Sequence, residues 1–136
     1  MKIRVVLAGA LLVAGAAFVA SAEDEKGATI KDVMNKLHKG ANSPLAQIRA
    51  ELKSATPDWD KLQKQTKDFV ILGAALAKND PPKGDKGSWK MFADAYFQSA
   101  KALDDAAKAK DTATADAAQK RIVGSCKNCH TAHKGK

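Results

Sequence analysis

Strict alternation of apolar and polar residues, the mark of a half-buried strand, is missing from every stretch of this 136-residue chain. A paired nucleophile and base and a glycine-rich phosphate loop are missing too, so nothing points to an enzyme. Only two cysteines occur, Cys126 and Cys129, enough for one disulfide at most. Acidic side chains are outnumbered, 15 against 23 lysines and arginines, and none follows Asp116. The length suits one domain and not comfortably two.

What is present begins with a leader. Met1-Lys2-Ile3-Arg4 is positive, Val5 to Val19 is unbroken apolar or glycine, and Ala20-Ser21-Ala22 offers small residues before Glu23-Asp24-Glu25. This layout predicts a signal peptide over residues 1–22, cut after Ala22, and a domain over residues 23–136. The alternative is an uncleaved anchor, but the run falls short of the ~20 residues a bilayer span requires. No twin arginine precedes it and no cysteine lies near its end, so neither twin-arginine export nor a lipoprotein anchor is indicated. Cleavage removes Lys2 and Arg4 and lowers the formal charge of +8 by two. An exported basic protein rarely meets nucleic acid, so an acidic protein partner or an anionic membrane surface is expected instead.

The rest is rich in the good helix formers alanine, lysine, leucine and glutamine. Four helical segments are expected. The first, Thr29 to Ser54, opens on a Thr29/Asp32 capping box and carries Ile30, Val33, Met34 and Leu37 on one stripe. Gly40 and Pro44 break or kink it, and Ser43 with Pro44 restarts it. The second starts near Pro57, carries Trp59, Leu62, Thr66, Phe69, Gly73 and Leu76 on a seam, and ends before Pro81-Pro82. The third, about Ser88 to Lys110, repeats the spacing with Trp89, Phe92, Tyr96, Ser99, Leu103 and Ala106. The fourth runs from about Thr112 with Ala115, Ala118, Ile122, Cys126, Cys129 and His133 on one side. Met91 is expected in the core, and Asp104-Asp105 and Asp58/Asp60 as exposed or capping carboxylates. Four amphipathic helices on short connections imply an all-α, antiparallel four-helix bundle. Alanine fills many of its core positions, so a large prosthetic group would supply apolar volume.

The sharpest signal is Cys126-Lys127-Asn128-Cys129-His130. Cys-x-x-Cys-His is the general mark of c-type haem attachment. On a helix these positions share a face, so two thiols can reach adjacent vinyl groups while the imidazole projects toward the iron. Cys126 and Cys129 are therefore expected as thioethers to one haem c and His130 as the proximal iron ligand. A Cys-x-x-Cys redox pair is the first alternative, though no βαβ pattern supports it. Zinc on Cys126, Cys129 and either His130 or His133 is the second, without the usual other half of such a motif.

This motif lies close to the carboxyl end, on the last of four helices, and there the chain resembles the class II cytochromes c, the cytochrome c′ family. The helix layout carries the resemblance over the whole mature chain; the residues carry it from Val123 to Lys134. Family members usually place an aromatic and then a basic residue after the haem histidine, where this chain has His133 and Lys134. The resemblance implies a distal ligand on the first helix: methionine in low-spin members, none in the five-coordinate ones. Met34 holds the matching place, with His38 one turn on as the alternative, and His/Met ligation raises the reduction potential. Trp59, Phe69, Trp89, Phe92, Tyr96 and Phe97 are candidate haem-pocket walls, and Lys134 a neighbour of a haem propionate. The resemblance also allows a homodimer through the first two helices.

The expected function is one-electron transfer by a periplasmic or otherwise exported soluble cytochrome. The alternative is a five-coordinate protein binding NO or CO. Lys120, Arg121, Lys127 and Lys134 surround the motif and would steer an acidic redox partner.

Overall fold

The structure is a computed structural model that describes residues 27–136; the expected signal peptide, residues 1–22, lies outside them. Among the described residues every regular element is a helix: α1 (Ile30–His38), α2 (Pro44–Glu51), α3 (Trp59–Leu76), α4 (Lys86–Lys108) and α5 (Thr112–His133). None is long and apolar enough to cross a membrane. The protein is all-α.

Each helix begins on a side chain that satisfies free amides of its first turn. The Thr29 hydroxyl accepts from Asp32 N at 3.1 Å while the Asp32 carboxylate accepts from Thr29 N at 3.0 Å, the expected capping box. Ser43 caps α2 with Pro44 behind it, and Asp58, Asp85 and Asp111 cap α3, α4 and α5. The expected first segment is thus broken rather than kinked. Gly40, at φ +90°, takes a conformation that a side chain would resist, and the chain resumes as a separate helix.

Side-chain pairs fix the directions of packing. Gln63 meets Ala107, Thr66 meets Asp104, and Gly73 lies against Tyr96, so α3 and α4 run antiparallel. Ser88 and Trp89 meet His133 at the far end of α5, which makes α4 and α5 antiparallel as well. Asn79 donates to the Ala28 carbonyl while His38 meets Phe69, so α1 runs back along α3. Gln65 donates to Gln47, and Lys61 pairs with Glu51, which continues that direction through α2. The core lies between these faces and includes Val33, Leu37, Ile48, Leu62, Phe69, Leu103 and Ile122, all fully buried. Alanines 93, 100, 106 and 107 of α4 and 115 and 118 of α5 are buried in it as well.

Two expectations fail here. Met91 is not a core residue: it is 60% exposed, because Trp89, Ala93, Tyr96 and Ala100 define the inner face of α4 and Met91 falls outside it. Asp104 is not an exposed carboxylate: it is buried, accepts from the Thr66 hydroxyl at 2.7 Å and pairs with Lys108 at 2.6 Å. Its neighbour Asp105, one step around the helix, is exposed as expected.

Candidate functional site

The last turns of α5 carry Cys126, Cys129 and His130. Both cysteines are half-buried at the helix surface beside an exposed His130, and Cys129 also rests against the core. The two sulfurs are not bonded to each other. The Cys126 thiol donates to the Ile122 carbonyl one turn back, at 3.4 Å. Burial pushes both thiols up, and Cys126 nearby pushes Cys129 further, so both are protonated at neutral pH. A reactive dithiol pair needs the opposite shift, which weighs against the redox alternative.

His133, three residues past His130, has a different fate. It is 2% exposed, with one ring nitrogen at 3.0 Å from the Lys83 carbonyl and the other at 2.8 Å from the Ser88 hydroxyl. Trp89 and Phe92 stand edge-on to it at 5.5 and 5.8 Å. Its ring is therefore packed as a buried wedge between the α3–α4 loop and the start of α4. With both nitrogens used, it has none left for zinc. Among the described residues no group of three His, Cys, Asp or Glu side chains is placed to hold a metal ion.

The loop from α3 to α4 closes over this end of α5. Gly84, at φ +84°, comes so close that a Cβ there would meet the Ala132 carbonyl at 2.6 Å, and Pro82 reaches Gly135 in the same way. Trp89 donates to the Asn79 carbonyl at 2.7 Å, which ties the loop to α4. The loop is legible in the sequence as Asn79-Asp80-Pro81-Pro82-Lys83-Gly84. That it grips the motif helix is not, because no local pattern encodes a contact between Lys83 and His133, 50 residues apart.

Helix α1 packs on α2 and α3, and no Cα of α1 comes within 8 Å of one in α4 or α5. Met34 and His38 are half-buried on it, one turn apart. The His38 ring bridges the separation: Nε2 is 2.8 Å from the Tyr96 hydroxyl on α4, and the ring is edge-on to Phe69 and Tyr96. Burial, with the His130 charge adding to it, lowers the His38 pKa to about 4, so the imidazole is neutral at physiological pH. Burial pushes the Tyr96 phenol up, and Cys126 adds to that shift. His130 and Cys126 are therefore near enough to His38 and Tyr96, respectively, to act on them electrostatically.

Of the candidate wall residues, Phe69 and Tyr96 adjoin His38, whereas Trp89 and Phe92 hold His133. Of the surrounding cations, Lys120 is paired with Asp116 at 2.6 Å. Arg121, Lys127 and Lys134 are exposed, and Lys134 follows His130 by one turn, with its amide on the His130 carbonyl at 3.0 Å. Cys126, Cys129 and His130 of α5 are the residues that could hold a cofactor, and Met34 and His38 are the soft or imidazole donors that α1 carries. No protein-family model matches the chain, and neither the curated proteins nor the solved structures give a match.

Proposed function

We propose that this protein is an exported c-type cytochrome of the class II kind, carrying one covalent haem and acting in one-electron transfer. In this reading α1 with α2 forms one leg of an antiparallel four-helix bundle and α3, α4 and α5 the other three. The observation that carries the reading is the Cys-x-x-Cys-His run on a clamped helix end, together with a helix, α1, that stands apart and offers two further iron ligands. Cys126 and Cys129 would attach the haem, since a neutral thiol adds its S–H across a vinyl group without an oxidant or reductant. His130 would hold the iron from α5. A haem held there supplies a single electron by cycling its iron between ferric and ferrous states.

The other steps belong to the chain. Electron transfer is favoured when little moves, and the clamp on His133 fixes the helix that bears His130. The partly exposed cysteines keep one edge of the site near solvent. Arg121, Lys127 and Lys134 give that end a positive field, which draws an acidic redox protein and sets its orientation. Lys120 contributes less because Asp116 neutralises it.

Expression of the full chain together with export and haem-attachment machinery tests the reading. The product is expected to retain haem through denaturing extraction, and Cys126→Ala with Cys129→Ala to lose it. A parent protein that matures without covalent haem under those conditions ends the proposal.

A further inference from the structure

Two side chains on α1 could complete the iron site, and the structure treats them differently. Met34 is half-buried against the apolar core. That packing alone accounts for a methionine on an apolar stripe. His38 has no such account. One ring nitrogen is held by the Tyr96 hydroxyl at 2.8 Å, and the other, Nδ1, is buried with no hydrogen-bond partner. A buried polar atom left without a partner is costly, so its retention calls for a reason. Among the described residues only two other buried side-chain polar atoms share that condition, the carbonyl oxygens of Gln65 and Gln119. Both are amide oxygens, donors better suited to hard cations than to iron, which imidazole suits.

The setting of His38 points the same way. It closes α1 at its last residue, and its side chain reaches past α3 to Tyr96 of α4. Phe69, fully buried, backs the ring edge-on at 5.6 Å. A neutral imidazole with one nitrogen anchored and the other free is the usual form of a metal-ligating histidine. The anchor fixes the ring and raises the basicity of the ligating nitrogen.

We propose that His38, rather than Met34, supplies the second axial ligand, through the ring nitrogen that Tyr96 does not hold. Tyr96 is then a positioning residue. This assignment rests on the cytochrome reading and refines it to bis-histidine ligation. It gives a lower reduction potential than His/Met ligation would.

The test uses the matured full-length protein, with visible and electron paramagnetic resonance spectra and a potentiometric titration. The oxidised parent is expected to be low-spin without the thioether-to-iron charge-transfer band, and Met34→Leu to leave spectrum and potential unchanged. His38→Ala is expected to turn high-spin and bind CO, with added imidazole restoring the low-spin spectrum. Tyr96→Phe is expected to stay low-spin with a raised potential, a shift that a merely structural role would not produce. A thioether band in the parent that Met34→Leu abolishes overturns the assignment, as does a parent that is already high-spin and binds CO. Both decisive measurements are independent of whether His38→Ala folds. A protein whose haem is covalently retained but wrongly ligated sinks only the assignment. One that retains no haem removes the cytochrome reading with it.

Discussion

Gly84→Ala and Gly124→Ala are the same chemical change, one methyl group, yet they should act with opposite signs. Gly84 sits at φ +84°, where an L side chain costs about 1–2 kcal/mol. Its new Cβ would lie 2.6 Å from the Ala132 carbonyl oxygen and 2.9 Å from His133 Nδ1. The first is backbone, and the second is a ring pinned by two hydrogen bonds and two aromatic edges, so neither yields cheaply. The loop must withdraw, and withdrawal breaks the 3.0 Å contact between His133 and the Lys83 carbonyl. A buried ring nitrogen left unpaired costs about 1–3 kcal/mol more. The total is roughly 3 kcal/mol, a fall in Tm of roughly 10–20 °C for a domain of this size. Gly124 lies inside α5, and a methyl group added there would have nothing within 4 Å, so alanine should add about 0.5–1 kcal/mol.

Urea unfolding followed by far-ultraviolet circular dichroism measures both. Trp89 fluorescence gives a local report, because its ring stands on His133. The double variant Gly84→Ala/His133→Ala should cost clearly less than the two single changes added, since both break one contact. If Gly84→Ala unfolds within about 0.5 kcal/mol of the parent, a difference usual for a surface change, the loop does not grip α5.

Lys110 ends α4 at φ 56°, with Asp111 N on the Ala106 carbonyl and Lys110 N on that of Ala107, a Schellman ending that favours glycine. Lys110→Gly should therefore raise unfolding free energy by about 1 kcal/mol, and a loss of stability in urea would contradict it. The Asp111 carboxyl is held below its ordinary range, first by the Thr114 hydroxyl and then by the Thr114 amide. A depressed folded value means that its stabilisation is present above the unfolded pKa of about 4 and is lost as pH falls through the folded one. Asp111→Asn, which still caps α5, should flatten that acid limb of a helicity-against-pH curve; an unchanged limb would assign the acid loss elsewhere. Reversing Arg121, Lys127 and Lys134 to Glu should slow electron transfer to an acidic partner severalfold at low ionic strength and converge with the parent at high salt. Equal rates at low salt would remove that face as the docking surface.

How much of this is open to a reader of the sequence depends on the range of the interaction. The caps at Thr29, Ser43 and Asp58 and the helix seams are legible because each is decided within four residues. The break at Gly40 is legible as an interruption, but a positive φ cannot be told from a bend by composition. Asp104 and Asp105 are indistinguishable as letters. Only Thr66, 38 residues away on α3, makes one of them internal. Met91 misleads for a related reason: an apolar residue close to Trp89 reads as core until the inner face of α4 is known.

The three histidines carry the same lesson to the site. His130 and His133 belong to one short run, and residue type alone assigns either to a metal. The surroundings separate them: Ser88, Lys83, Trp89 and Phe92 hold His133 as an aromatic wedge, and His130 is left beside the two thiols. His38 is the weaker candidate in the sequence because Met34 holds the place that the resemblance to class II cytochromes c points to. Neither Tyr96 on its ring nor the buried Nδ1 is visible without the fold. The wedge three residues past the motif also steadies the turn that carries the motif. Helix ends fray where their last turns lack partners. Here the last turn is held by the α3–α4 loop, so the residues just before it are held with it.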